Sequence, residues 1–139
     1  MKKVTVFSGN RAEFGLLSPI LKSLQKSKKI KLYFIVSGSH LDKKFGKTIN
    51  EALKENIKVK EKFYIQNKTK NTITNEYTPL NISEIIYKYT KILKKIKPQY
   101  NLVYADRFET FASAISSTQM NIPTIHIEGG DKTEGGTLD

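Results

Sequence analysis

Two short segments each end in a carboxylate beside a turn: Asn101-Leu-Val-Tyr-Ala-Asp106-Arg107-Phe-Glu109-Thr110 and Ile122-Pro-Thr-Ile-His126-Ile-Glu128-Gly-Gly130. Each reads as a β-strand whose C-terminal tip carries an acid with a basic side chain next to it. A third segment, Ser8-Gly9-Asn10-Arg11-Ala-Glu13, follows the first apolar run of the chain. In an open parallel α/β sheet the ligand crevice lies outside the carboxyl ends of the strands. Two acids there can divide the work of base and acid when their surroundings push their pKa values apart. Arg11 beside Gly9 offers a forked donor for a phosphate.

Each residue also has a plainer reading. Asp106 could cap the helix that begins near Glu109. Arg11 could pair with Glu13 or a nearby acid. Gly9 permits a tight turn with accessible backbone N–H groups. Strand alternation places His126 and Glu128 on one side, so a neutral His126 could simply orient Glu128. The Gly-Gly after Glu128 suggests that the backbone makes room for a ligand. His40 could touch a ligand from the second strand tip or cap residues 46–51.

These tips need a scaffold. Residues 3–8, 30–37, 59–65, 102–105 and 124–127 read as strands, apolar and rich in β-branched side chains. Helical spacing marks residues 11–28, 48–56, 81–97 and 109–120. Pro19 conflicts with the first helix, which then either starts near Ser18 or kinks. Residues 66–76 form the most polar stretch and are expected to be an irregular, mobile loop. Alternating strands and helices predict a doubly wound parallel sheet, Rossmann-like, in the order 3-2-1-4-5. Gly9, Arg11 and Asp106 then face each other at the switch point between the first and fourth strands.

Composition narrows the partners. The 139 residues make one domain with a sizeable core and hold no cysteine, which excludes disulfides and thiolate metal sites. His40 and His126 lack metal-ligand spacing, Ser8–Gly15 is neither G-x-G-x-x-G nor a P-loop, and no cofactor is expected. No apolar run approaches the ~18 residues of a membrane span. No export signal is read at the start, so a cytoplasmic protein is expected. The formal charge of +11 comes mostly from dispersed lysines with no nucleic-acid motif, and suits an anionic small ligand rather than nucleic acid or membrane. The loop at residues 128–139 closes no element, which reads as the front part of a longer polypeptide.

Taken in order, Gly9-Asn-Arg11-Ala-Glu13-Phe-Gly15-Leu-Leu-Ser-Pro19, Gly38-Ser-His40-Leu, Asp106-Arg107-Phe108-Glu109 and His126-Ile-Glu128-Gly-Gly-Asp-Lys-Thr-Glu-Gly-Gly-Thr-Leu-Asp139 resemble one family. It is that of the hydrolysing UDP-N-acetylglucosamine 2-epimerases of sialic-acid-type sugar biosynthesis. The resemblance spans the whole chain. It implies two Rossmann-like domains arranged as in GT-B glycosyltransferases, residues 1–139 being most of the first. The missing C-terminal domain would supply most uridine contacts and a catalytic His. A homodimer or homotetramer is implied for the full-length protein.

The family converts UDP-GlcNAc and water into N-acetylmannosamine and UDP, by anti elimination of UDP across C1–C2 and then hydration. By motif position Asp106, Glu128 and Asp139 match its catalytic acids. Arg11 matches its arginine near the diphosphate, and Gly9, His40, Arg107 and His126 fall among the substrate-facing motifs. Leu16 stands where the non-hydrolysing branch has a lysine, and Ala12 where it has a proline, which points to the hydrolysing branch. The substrate is then UDP-GlcNAc or a 2,4-diacetamido relative. The rival readings are a truncated, non-catalytic nucleotide-sugar-binding domain and another GT-B-type enzyme.

Overall fold

The structure, a computed structural model, describes residues 1–41, 49–65 and 77–130, with only the backbone at Arg11 and Ser39. Five strands form one parallel sheet: β1 (Lys2–Ser8), β2 (Ile30–Val36), β3 (Val59–Lys62), β4 (Tyr100–Tyr104) and β5 (Thr124–Ile127). Their spatial order is β3-β2-β1-β4-β5, as the pattern of strands and helices predicts. Helices α1 (Arg11–Lys26), α2 (Ile49–Lys54), α3 (Tyr77–Ile96) and α4 (Phe108–Gln119) make the crossovers. The chain winds outward from β1 to β3 and then returns to place β4 on the other side of β1. That reversal is the switch point where such sheets take ligands.

Alternation along the buried strands divides the core between two faces. Val4, Val6 and Phe34 pack with Phe14, Leu17 and Leu21 of α1 and Ala52 of α2. Phe7 and Ile35 point the other way, against Ile85, Tyr89 and Leu93 of α3 and Ala112 of α4. Full burial of one such large side chain is worth about 1.5–3 kcal/mol. A polar knot fixes α4 to the sheet. Asn101 accepts from Thr5 Oγ1 at 2.9 Å and Tyr89 OH at 2.6 Å, and donates to Ser113 at 3.1 Å and Ser117 at 3.0 Å. Every hydrogen-bonding position of that buried amide oxygen and nitrogen pair is thereby engaged from three elements, which sets the register of β4 against its helix.

Three expectations need adjustment. Helix α1 begins at Arg11 and continues through Pro19 rather than starting near Ser18. Pro19 removes the donor that would meet the carbonyl of Gly15, and Pro19 itself lies on the exposed side, where water can serve that carbonyl. Helix α3 begins four residues earlier than the apolar spacing suggests, because Pro79 falls in its first turn, where its missing N–H costs nothing. Strand β3 stops at Lys62 rather than Ile65. The expected loop at residues 66–76 lies outside the described residues. Among the described residues, no helix is long and apolar enough to cross a membrane.

Candidate active site

The tips of β1, β4 and β5 are consecutive along the sheet edge, so local backbone at each tip decides what the edge presents. Beyond β1, Asn10 caps α1, its side chain accepting from the Ala12 N–H at 3.0 Å. Arg11 is therefore the first helical residue, at the positive end of a 16-residue helix, where an anion is favoured. Gly9 does not have a left-handed φ. Its missing side chain is required by neighbours instead: a Cβ there would meet Glu109 Cγ at 2.5 Å. Gly38, with φ +59°, in turn presses on the Gly9 carbonyl.

At the β4 and β5 tips the backbone is strained. Ala105 has φ +58° and Glu128 φ +56°. Among the described residues, the other non-glycine residues of this kind, Asn56, Lys97 and Asn121, follow helix ends, where left-handed residues are ordinary. Ala105 and Glu128 follow strands, each at a cost of about 1–3 kcal/mol. The strain turns Asp106 and Glu128 out of the sheet, and both are exposed. Asp106 does not cap α4; Arg107 holds the cap position and its side chain makes no capping bond. Arg107 Nε lies 3.4 Å from Glu109 Oε2.

The left-handed Glu128 breaks the alternation expected with His126. Glu128 accepts from Tyr104 OH at 2.9 Å, while His126 Nε2 sits 2.6 Å from the Ala105 carbonyl. A carbonyl only accepts, so Nε2 carries the hydrogen. His126 thus braces the strained residue before Asp106 rather than orienting Glu128. The ring lies over Gly129, where any Cβ would collide with it. The first glycine of the pair makes room for His126 rather than for a ligand; Gly130, with φ +96°, supplies the turn.

His40 does not stand on the open rim. It is 1% exposed, with Nε2 2.8 Å from Ser8 Oγ, and burial pushes its pKa down to about 4. Ser8 Oγ also reaches Glu13 Oε2 at 3.0 Å. Glu13 is 4% exposed, and burial pushes its pKa up to about 7; Ser8, Arg107 and the Asn10 backbone oppose the rise while Glu109 adds to it. Sequence reasoning saw Glu13 only as a possible partner for Arg11 and assigned no role to Glu109, Ser8 or Tyr104. A signal existed for Glu13, which sits three residues after the Asn10 cap, the acid position of a capping box. Tyr104 gave none, since a strand tyrosine reads as core. Asp139 lies outside the described residues.

A family model described as UDP-N-acetylglucosamine 2-epimerase matches residues 22–139. The chain belongs to this family. It is 32% identical over its whole length to the UDP-N,N'-diacetylbacillosamine 2-epimerase (hydrolyzing) of Legionella pneumophila, covering 36% of that protein. It is 30% identical over its whole length to the UDP-N-acetylglucosamine 2-epimerase of Neisseria meningitidis serogroup B, covering 35% of it. Among solved structures, UDP-GlcNAc 2-epimerase from Neisseria meningitidis bound to UDP-GlcNAc superposes with a TM-score of 0.76 at 28% identity, over 96% of this chain and 33% of that one. The chain thus spans about a third of the length of these epimerases. Its doubly wound sheet is the Rossmann-like architecture of these GT-B-type enzymes.

Proposed function

We propose that this epimerase-family chain forms one wall of a hydrolysing nucleotide-sugar 2-epimerase site. One observation carries the reading: Asp106 and Glu128 stand exposed on adjacent strand tips, with left-handed backbone at Ala105 just before the first and at Glu128 itself. The substrate is UDP-GlcNAc or a 2,4-diacetamido relative. Its C2 proton has no neighbouring carbonyl to acidify it, so departure of UDP with the C1–O electron pair must build positive charge at C1 first. Carboxylates on the rim stabilise that charge and take the C2 proton as the C1–C2 double bond forms. Water then adds at C1 while a proton returns to the opposite face of C2, releasing the 2-epimer. Tyr104 holds Glu128 in place for its share of this work, and His126 braces Asp106. Arg11 and the α1 N-terminus receive the diphosphate; Gly9 and Arg107 complete that wall, and Asp139 is the third acid.

A second Rossmann-like domain beyond these residues supplies the uridine contacts, and the full-length cytoplasmic protein self-associates. The deciding experiment incubates the protein at its natural length with UDP-GlcNAc, and separately with the UDP-2,4-diacetamido sugar, in deuterated water. Released UDP and a free 2-epimer carrying deuterium at C2 are expected from one of them. Free UDP accompanied by sugar of unchanged C2 configuration and no label would refute the elimination.

A further inference from the structure

Glu13 is a buried carboxyl that the proposed elimination does not use. Four side chains act on it from three elements, Ser8 of β1, Tyr104 of β4, and Arg107 and Glu109 at the start of α4, and His40 of the 3-10 turn (Gly38–Leu41) reaches it through Ser8. The Asn10 N–H stands near the carboxyl without completing a hydrogen bond to it, and Oε1 has no partner among the described residues. Ser8 Oγ lies 3.0 Å from Glu13 Oε2 and 2.8 Å from His40 Nε2, with the Asn10 carbonyl farther off at 3.3 Å.

A serine hydroxyl has one hydrogen to give, and a neutral imidazole has one nitrogen that donates and one that accepts. Ser8 donating to the Asn10 carbonyl at 3.3 Å would let both Glu13 and His40 donate to its oxygen; with the hydroxyl hydrogen kept on one of the two shorter contacts, two closed arrangements remain. If Glu13 is ionised, Ser8 donates to Oε2, and His40 must carry its hydrogen on Nε2 to donate to Ser8. If Glu13 is neutral with its hydrogen on Oε2, it donates to Ser8, Ser8 donates to His40 Nε2, and the ring hydrogen sits on Nδ1. The neutral arrangement strands a carbonyl-type oxygen at Oε1, which costs less in a dry site than stranding half a carboxylate.

We propose that Glu13, Ser8 and His40 form a buried relay in which Glu13 is a positioning residue, and that loss of one proton from Glu13 reverses every bond of the relay and switches the tautomer of His40 without charging its ring. The proton balance is simple. One proton leaves Glu13 for solvent, the Ser8 hydroxyl turns from His40 to Glu13, and the ring exchanges its Nδ1 hydrogen for one on Nε2. Burial acts on both ends in the same sense, holding Glu13 near neutrality in pKa, at about 7, and His40 at about 4, so the ring stays neutral while Glu13 titrates. The relay ties β1, the 3-10 turn and the start of α1 together, and Gly9, Asn10 and Arg11 lie between them. Its effect on the diphosphate rests on the proposed epimerase reading; the relay itself does not.

The test is a pH series of imidazole ¹⁵N–¹H correlation spectra on the natural-length protein, with the His40 signals identified by their loss in His40→Asn. The wild type should pass from the Nδ1–H to the Nε2–H pattern with a midpoint near pH 7. In Glu13→Gln, whose amide can donate to Ser8 but cannot ionise, His40 should keep Nδ1–H at every pH. A single tautomer throughout the wild-type series, formation of imidazolium in that range, or a switch that survives Glu13→Gln would each overturn the proposal. Should Glu13→Gln not fold, Ser8→Ala breaks the chain and should abolish the switch, and a switch that survives it is equally fatal. On the epimerase reading, KM for the UDP-sugar should rise with the same midpoint in the wild type and stay flat in Glu13→Gln. Flat KM in the wild type with the tautomer switch intact would refute that consequence for the diphosphate wall, while absence of the switch overturns the relay whatever the activity.

Discussion

Replacing Glu13 by glutamine should stabilise the fold at alkaline pH and leave it nearly unchanged in acid. The sign follows from burial. Glu13 titrates near 7 in the folded chain against an ordinary value of 4.5. Below 4.5 both folded and unfolded chains hold the proton, and the group exerts no pH-dependent effect. As pH rises from 4.5 to 7 the unfolded chain releases its proton and the folded chain does not, so stability falls through that window and then levels off. At about 1.4 kcal/mol per pH unit, the displacement amounts to about 3 kcal/mol at pH 8. Glutamine keeps the shape and removes the titration, so the difference between variant and wild type should grow by about 3 kcal/mol between pH 4 and pH 8. His40 works in the opposite sense. Its depressed pKa contributes stability above 6.5 that is lost as pH falls towards 4. That slope is common to both proteins and drops out of their difference. Equilibrium urea unfolding of both chains at five pH values measures the quantity, with equal denaturant slopes as the control. A difference that stays constant across the series would show that Glu13 ionises in the folded chain without cost, and the burial argument would fail.

Gly9→Ala should destabilise by about 1–3 kcal/mol, because its Cβ would sit 2.5 Å from Glu109 Cγ; thermal or chemical unfolding checks this, and a neutral substitution would show that Glu109 moves freely. Tyr104→Phe removes the donor to Glu128 and should lower kcat about three- to tenfold with KM for the UDP-sugar nearly unchanged; an effect confined to KM would place Tyr104 in binding instead. Asp106→Asn, Glu128→Gln and Asp139→Asn should each cost roughly a hundredfold in turnover while UDP affinity changes little. Arg11→Ala should weaken UDP binding as well as slow its release from the sugar, and near-wild-type turnover in any of the four would remove that residue from the mechanism.

The fold was legible because hydrophobic period and crossover handedness leave few choices. Continuous apolar runs such as Phe34–Val36 require burial on both faces, and helices on both faces supply it. Right-handed crossovers then fix the strand order. Of the three boundaries that the pattern misjudged, two turn on a proline. Pro79 resembles a breaker but lies where a helix start tolerates it, and Pro19 lies inside a helix that packing carries through, with Leu17 and Leu21 fully buried on either side of it. Burial of two leucines outweighs the roughly 3 kcal/mol that an interior proline costs.

At the rim, residue types were legible and their partnerships were not. Asp106 and Glu128 announce themselves as acids at strand tips, but alternation assumes an extended backbone, and the left-handed Glu128 violates that assumption. That dihedral angle sends Glu128 to Tyr104, while His126, still within β5, meets the Ala105 carbonyl at the tip of the neighbouring strand. His40 and Glu13 show the converse. Both look like rim residues in sequence because each follows a strand closely, yet the Gly9–Gly38 contact brings the two turns together and seals them underneath. Close approach of backbone to backbone leaves only a glycine in the sequence, and a glycine does not say what it has made room for. Here Gly9 admits Glu109 and Gly38 admits the Gly9 carbonyl, and the ionisable groups behind the rim, Glu13 and His40, are buried. Burial favours the uncharged form of each, raising the Glu13 carboxyl to about 7 and lowering the His40 ring to about 4, so the groups that support the rim are held neutral by the same packing that hides them.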